Sequence, residues 1–87
     1  MEITDIKMTV VGEERLKAYV RLTFDDCFVI DDVKIIQGDE GLFVSFPSKM
    51  KNGQFKDICH PLNRDTRKWM EEEIFTSYRE KLDGCQR

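Results

Sequence analysis

The chain has one histidine, two prolines and three cysteines in 87 residues, and no long apolar run. Each shortage excludes something. His60 follows Cys59 directly, and the pair is the one nucleophile–base candidate. Neighbours in an extended segment point to opposite faces, so the two side chains do not meet. His60, ahead of Pro61, is instead expected to pin the turn that follows. Cys27, Cys59 and Cys85 are odd in number and far apart, with no CxxC and no Cys/His clusters at zinc-ligand spacing. They read as free thiols, one or two of them small buried hydrophobes. No stretch approaches the roughly 20 apolar residues of a membrane-spanning helix. Residues 1–10 carry acids where a signal peptide has a basic end and a long apolar stretch. The expectation is a cytoplasmic protein.

Phosphate-cradling loops of the GxGxxG or GxxxxGK[ST] type are also missing. The acidic pairs Glu13-Glu14, Asp25-Asp26, Asp31-Asp32 and Asp39-Glu40 fall at turns or strand breaks. No loop alternates oxygen ligands as calcium requires. No catalytic residue, metal, cofactor or small-molecule substrate is expected.

What is present is a chain 40% hydrophobic and 36% charged, with six Phe, two Tyr and one Trp. That is too apolar and aromatic for a disordered tail. The first half alternates. Met8 and Val10 keep a period of two, while Ile3 and Ile6 break phase and predict a bulge near Thr4-Asp5. Leu16, Ala18, Val20, Leu22 and Phe24 form one face of a strand over 15–24, with Lys17, Tyr19 and Arg21 on the other. A third strand spans 27–36 with an interruption at Asp31-Asp32, followed by a tight Gly38…Gly41 connection. Residues 42–46, Leu-Phe-Val-Ser-Phe, read as a short central strand closed by Pro47. A polar loop over 48–54 carries the turn signal Asn52-Gly53, and residues 55–59 read as a last strand.

After Pro61 the period changes. Asn63 reads as a helix N-cap. Met70, Ile74, Tyr78 and Leu82 recur every four residues, with Trp69 and Phe75 widening the stripe. Gly84 reads as the stop. The prediction is an α+β domain over residues 1–84, with 85–87 a frayed tail. It has a small antiparallel sheet of about five strands, then one long C-terminal helix. A helix of some 19 residues is about 28 Å long. Its stripe is wide for a small sheet to cover, and strand edges need cover. Both features favour a homodimer.

Charge is unevenly placed. Between residues 49 and 68 lie six basic residues, Lys49, Lys51, Lys56, Arg64, Arg67 and Lys68, against two acids, Asp57 and Asp65. The remainder holds eight basic against fifteen acidic residues, for a total of −3. A basic island on an acidic body points to an anionic partner. Arg64, Arg67 and Lys68 stand at i, i+3 and i+4, sharing a helix face. Cations there oppose the helix dipole, while free N–H groups at the helix start attract phosphate. The six basic residues are therefore the candidate nucleic-acid contacts.

Four stretches together resemble the SpoVG family, that of stage V sporulation protein G or septation protein SpoVG. They are 1–7, Met-Glu-Ile-Thr-Asp-Ile-Lys; 28–38, from Phe28 to Gly38; 41–49, from Gly41 to Lys49; and 57–63, from Asp57 to Asn63, followed by Thr66-Arg67. The resemblance runs over about residues 1–82. It implies a cytoplasmic bacterial homodimer of α+β subunits, the C-terminal helix packing across the partner. It implies binding of DNA, and in some members RNA, in regulating gene expression, cell division and, in spore formers, septation. It places the binding residues in the loop after Pro-Ser-Lys and at the start of the helix, where the six basic residues lie. Many members have two consecutive basic residues after Pro-Ser. This chain has Lys49-Met50, with Lys51 as the substitute charge. The alternatives are a protein-interaction module that regulates division without touching nucleic acid, and a small enzyme using Cys59 or His60.

Overall fold

Alternating apolar residues along the first half leave each strand one face to bury, and consecutive strands share it by pairing with their neighbours. The structure, a computed structural model, describes residues 1–85. Strands β1 (Ile3–Val10), β2 (Leu16–Phe24), β3 (Phe28–Gly38) and β4 (Gly41–Ser45) form an antiparallel sheet in that order. Strands β5 (Ser48–Lys51) and β6 (Gln54–Asp57) form a separate two-stranded ribbon, and helix α1 (Arg64–Cys85) ends the described chain. The architecture is the α+β one predicted, with six strands in two sheets rather than five in one. No described helix is long and apolar enough to cross a membrane.

The breaks in the hydrophobic pattern are bulges. Register shifts between Ile3 and Asp5 of β1, where Thr4 is the extra residue opposite Thr23-Phe24. Its hydroxyl accepts from the Asp26 amide at 2.9 Å and donates to the Thr23 carbonyl at 3.3 Å. The bulge thereby holds the β2–β3 turn, where Asp25 and Asp26 both adopt positive φ. In β3 the pair Asp31-Asp32 stands opposite Arg21 alone, between the partners Leu22↔Ile30 and Val20↔Val33. Ile30 and Val33 are an odd number of residues apart and would otherwise point to opposite faces. The extra residue, with Asp32 at φ 63°, restores the phase. Ile30 then packs against the core, and Val33 and Ile35 are fully buried. Asp31 uses its exposed position to pair with Arg21 at 2.9 Å.

The nearly all-apolar β4 is an edge strand, not a central one, since β3 is its only partner among the described residues. Val44, and Phe46 just beyond the strand, are buried, whereas Leu42 and Phe43 are exposed. A run of apolar residues cannot say which face or edge will be covered. Two of the cysteines can be placed. Cys27 is exposed and Cys59 half-buried, so neither is a core residue.

Met70, Ile74 and Tyr78 bury their side chains among Ala18, Val20, Leu22, Phe24 and Val44. Trp69, Phe75 and Leu82 flank them, partly covered. The chain's own sheet thus covers the centre of the stripe. The helix begins as predicted. The Asn63 carboxamide oxygen accepts from the Thr66 amide at 2.8 Å. It does not stop at Gly84 but continues to Cys85. Cys85 is therefore helical, while Gln86 and Arg87 of the expected tail lie outside the described residues.

Ile74 is fully buried at the helix–sheet contact. Ile74→Ala is expected to cost about 2–5 kcal/mol of unfolding free energy. Urea denaturation checks this, and a loss well under 1 kcal/mol would mean that the helix is not seated on this sheet.

Candidate nucleic-acid interface

The segment 48–57 alternates on both sides of Asn52-Gly53, and the structure closes it into the β5–β6 hairpin rather than leaving 48–54 as a loop. Asn52 and Gly53 take φ of 52° and 80°, the pair of positive values a two-residue hairpin turn of the I′ kind demands. The register is Ser48↔Asp57, Lys49↔Lys56, Met50↔Phe55 and Lys51↔Gln54. Alternation then sorts the side chains. Lys49, Lys51, Lys56 and Gln54 share one face. Ser48, Met50, Phe55 and Asp57 share the other. All eight are exposed, so the ribbon stands clear of the main body. Its base is tied to the end of β4 by the Ile58 amide donating to the Pro47 carbonyl at 2.7 Å.

Two consequences follow for the charges. Lys49 and Lys56 are direct cross-strand neighbours, and like charges so placed destabilise a sheet. Lys51 does not replace a charge at position 50, because positions 50 and 51 lie on opposite faces. The lysine face is complete without position 50. Met50 pairs with Phe55 behind it, a contact of the kind that contributes roughly 0.2–1 kcal/mol to a ribbon.

A short link, residues 58–63, leads from the ribbon to α1. Within it the His60 Nδ1 lies 3.0 Å from the Pro61 carbonyl oxygen, in keeping with a role in the turn. Cys59 to Asn63 form one wall of an apolar pocket of about 330 Å³, with Phe24, Phe46 and Met70 among the other walls. Among the described residues no three His, Cys, Asp or Glu side chains are grouped to hold a metal.

The helical cations divide. Arg64 and Lys68 are exposed, one turn apart. Arg67, between them in sequence, is half-buried and reaches toward the sheet. Its Nη2 donates to the Val44 carbonyl at 3.3 Å, and its guanidinium carbon lies 5.3 Å from the centre of the Phe46 ring. Its Nε is 3.8 Å from a Glu71 carboxylate oxygen. Arg67 thus links the first helical turns to the edge strand that carries the ribbon. The brace is to a backbone carbonyl. Gln54 shares the lysine face, a position that charge counting does not reveal and that follows from the alternation on either side of Asn52-Gly53.

The family model for SpoVG matches residues 1–80. The chain belongs to the SpoVG family. It is 54% identical over 83 residues to a septation protein SpoVG of Bdellovibrio bacteriovorus, covering 94% of this chain and 77% of that one. It is 51% identical over 87 residues to one from Myxococcus xanthus, covering 99% and 88%. A third, from Acholeplasma laidlawii, is 48% identical over 86 residues, covering 97% and 92%. For a SpoVG member the ribbon and the helix start are therefore features of a shared domain spanning nearly the whole chain. The pieces that carry the resemblance sit on β1, on β3, on β4 running into β5, and on the link into α1.

The reach of Arg67 toward the sheet sets it apart energetically. Arg67→Ala is expected to destabilise the fold by about 1–2 kcal/mol, through the lost charged hydrogen bond and ring contact. Arg64→Ala and Lys68→Ala should each stay within about 0.5 kcal/mol of the parent. Equal denaturation midpoints for all three variants would remove the bracing role.

Proposed function

We propose that this SpoVG member is a non-enzymatic, nucleic-acid-binding regulator of septation and gene expression, acting in the cytoplasm as a homodimer. The observation that carries the reading is the lysine face of the β5–β6 ribbon. Three ammonium groups are held on one exposed face, two of them directly cross-strand. That arrangement costs the free protein stability, and an anionic partner recovers it. Arg64 and Lys68 extend the positive region to the helix start, where they oppose the dipole unless phosphate is present. Arg67, offered by its spacing as a sixth contact, acts here by positioning. The names of the relatives support the septation role, and the outer edge of β4, unpaired among the described residues and carrying exposed Leu42 and Phe43, supports a second copy.

A second reading rests on the other face. Met50 and Phe55, paired there, are both more than half exposed. Such an apolar pair suits a protein partner through which division is regulated without nucleic acid.

Titration of labelled duplex DNA and single-stranded RNA at two salt concentrations separates the readings. With about three phosphate contacts per subunit, a dimer makes roughly six, and log K should fall with log salt at a slope near −5. Lys49→Ala/Lys51→Ala and Arg64→Ala/Lys68→Ala, each checked for retained dimer by sedimentation, should reduce affinity at least tenfold. An intact dimer that binds neither ligand at low salt refutes the proposal and leaves the protein-partner reading.

A further inference from the structure

We infer that the β5–β6 ribbon is a major-groove reader of duplex DNA, with Gln54 as its base-reading residue. The inference rests on the nucleic-acid reading above and goes further by naming the form of the ligand, the groove and a specificity residue.

The ribbon has the dimensions for it. Paired strands lie about 4.8 Å apart, and four residues of strand extend about 13 Å. The major groove of B-form DNA, about 12 Å wide, admits a two-stranded ribbon presented face-on. Entry requires that nothing of the protein body shield that face, and every residue from Ser48 to Asp57 is exposed. It also requires a ribbon that holds its shape. The turn at Asn52-Gly53, the Met50↔Phe55 pair behind the lysines and the Ile58–Pro47 hydrogen bond at the base supply that.

The chemistry of the face divides between positioning and reading. Lys49 and Lys56 are paired near the middle of the ribbon, and Lys51 lies next to the turn. Lysine ammonium groups donate to phosphates on the groove walls, and they can also donate to guanine O6 and N7. Gln54 stands opposite Lys51 on the same face. It is the one uncharged residue there. Its carboxamide offers a donor and an acceptor side by side, the complement of adenine N6 and N7 in the major groove. Duplex RNA does not offer the same seat, because its A-form major groove is too deep and narrow for side-chain reading.

The test is selection of bound sequences from a randomised duplex DNA library by the full chain and by Gln54→Ala. Methylation interference at guanine N7 and competition by duplex RNA of the selected sequence accompany it. The expected result has three parts. The parent protein enriches a motif containing adenine, and methylation of N7 within the site blocks binding. Duplex RNA competes at least tenfold less well than DNA. Gln54→Ala keeps affinity for unselected DNA and its salt dependence, but loses roughly tenfold of the preference at one A·T pair. Lys49→Ala, by contrast, should weaken all sequences alike and flatten the salt dependence.

Duplex binding that is indifferent to N7 methylation overturns the inference while leaving the nucleic-acid reading intact. So does an unchanged motif in Gln54→Ala, a parent protein that enriches no motif, or a parent protein that prefers single-stranded RNA. Failure of the parent dimer to bind any of these nucleic acids at low salt overturns both.

Discussion

The seating of Met70, Ile74 and Tyr78 on the inner face of the four-stranded sheet is the contact on which everything else depends. A chain of this size has little interior, and these three helical residues supply the helix's share of it. The sheet can receive them only if β2 and β3 present their apolar residues in phase. In β3 that phase is set by a bulge. Asp31 and Asp32 are not a break in the strand but the extra residue that lets Ile30 and Val33 face the same core. Acids suit the position because the bulged residues look into water, and Asp32 tolerates the left-handed backbone it imposes.

From that core the ribbon and the helix start are held by two attachments. One is the backbone hydrogen bond from Ile58 to Pro47, which closes the base of the ribbon. The other is Arg67, which ties the beginning of the helix to the carbonyl of Val44 and the ring of Phe46. Both attachments converge at the C-terminal end of β4. A two-stranded hairpin alone is marginally stable in water, so these ties decide whether the lysine face persists as a surface. The ribbon also illustrates a division of labour by alternation. Its charges are collected on one side, and its apolar pair on the other holds the two strands together.

The same geometry changes the weight given to individual basic residues. Helical spacing alone groups Arg64, Arg67 and Lys68. In the fold, Arg67 faces the sheet and the other two face solvent. A residue in the basic island can thus serve the fold, by linking the helix start to the edge strand. Met50, which interrupts the island in sequence, belongs to the reverse face and leaves the lysine side intact.

Local chemistry was enough to determine much of this protein. The period-two runs placed β1, β2 and β3, the phase slip between Ile3 and Ile6 placed the Thr4 bulge, and the four-residue recurrence from Met70 placed the helix face. Asn63 marked the helix start, because a cap is satisfied by amides within three residues. Asn52-Gly53 marked the ribbon's turn for the same local reason, and the basic island was visible by counting. What only the tertiary structure decided depends on partners distant in sequence. The edge position of β4 was hidden, since an apolar run looks alike at the centre and at the edge of a sheet. Residues 48–51 read as a loop because a short polar strand gains its order from pairing. Gly84 failed as a stop, its local preference being too weak to end a helix held by the core. The brace formed by Arg67 spans 23 residues from Val44, a separation across which no local pattern carries information.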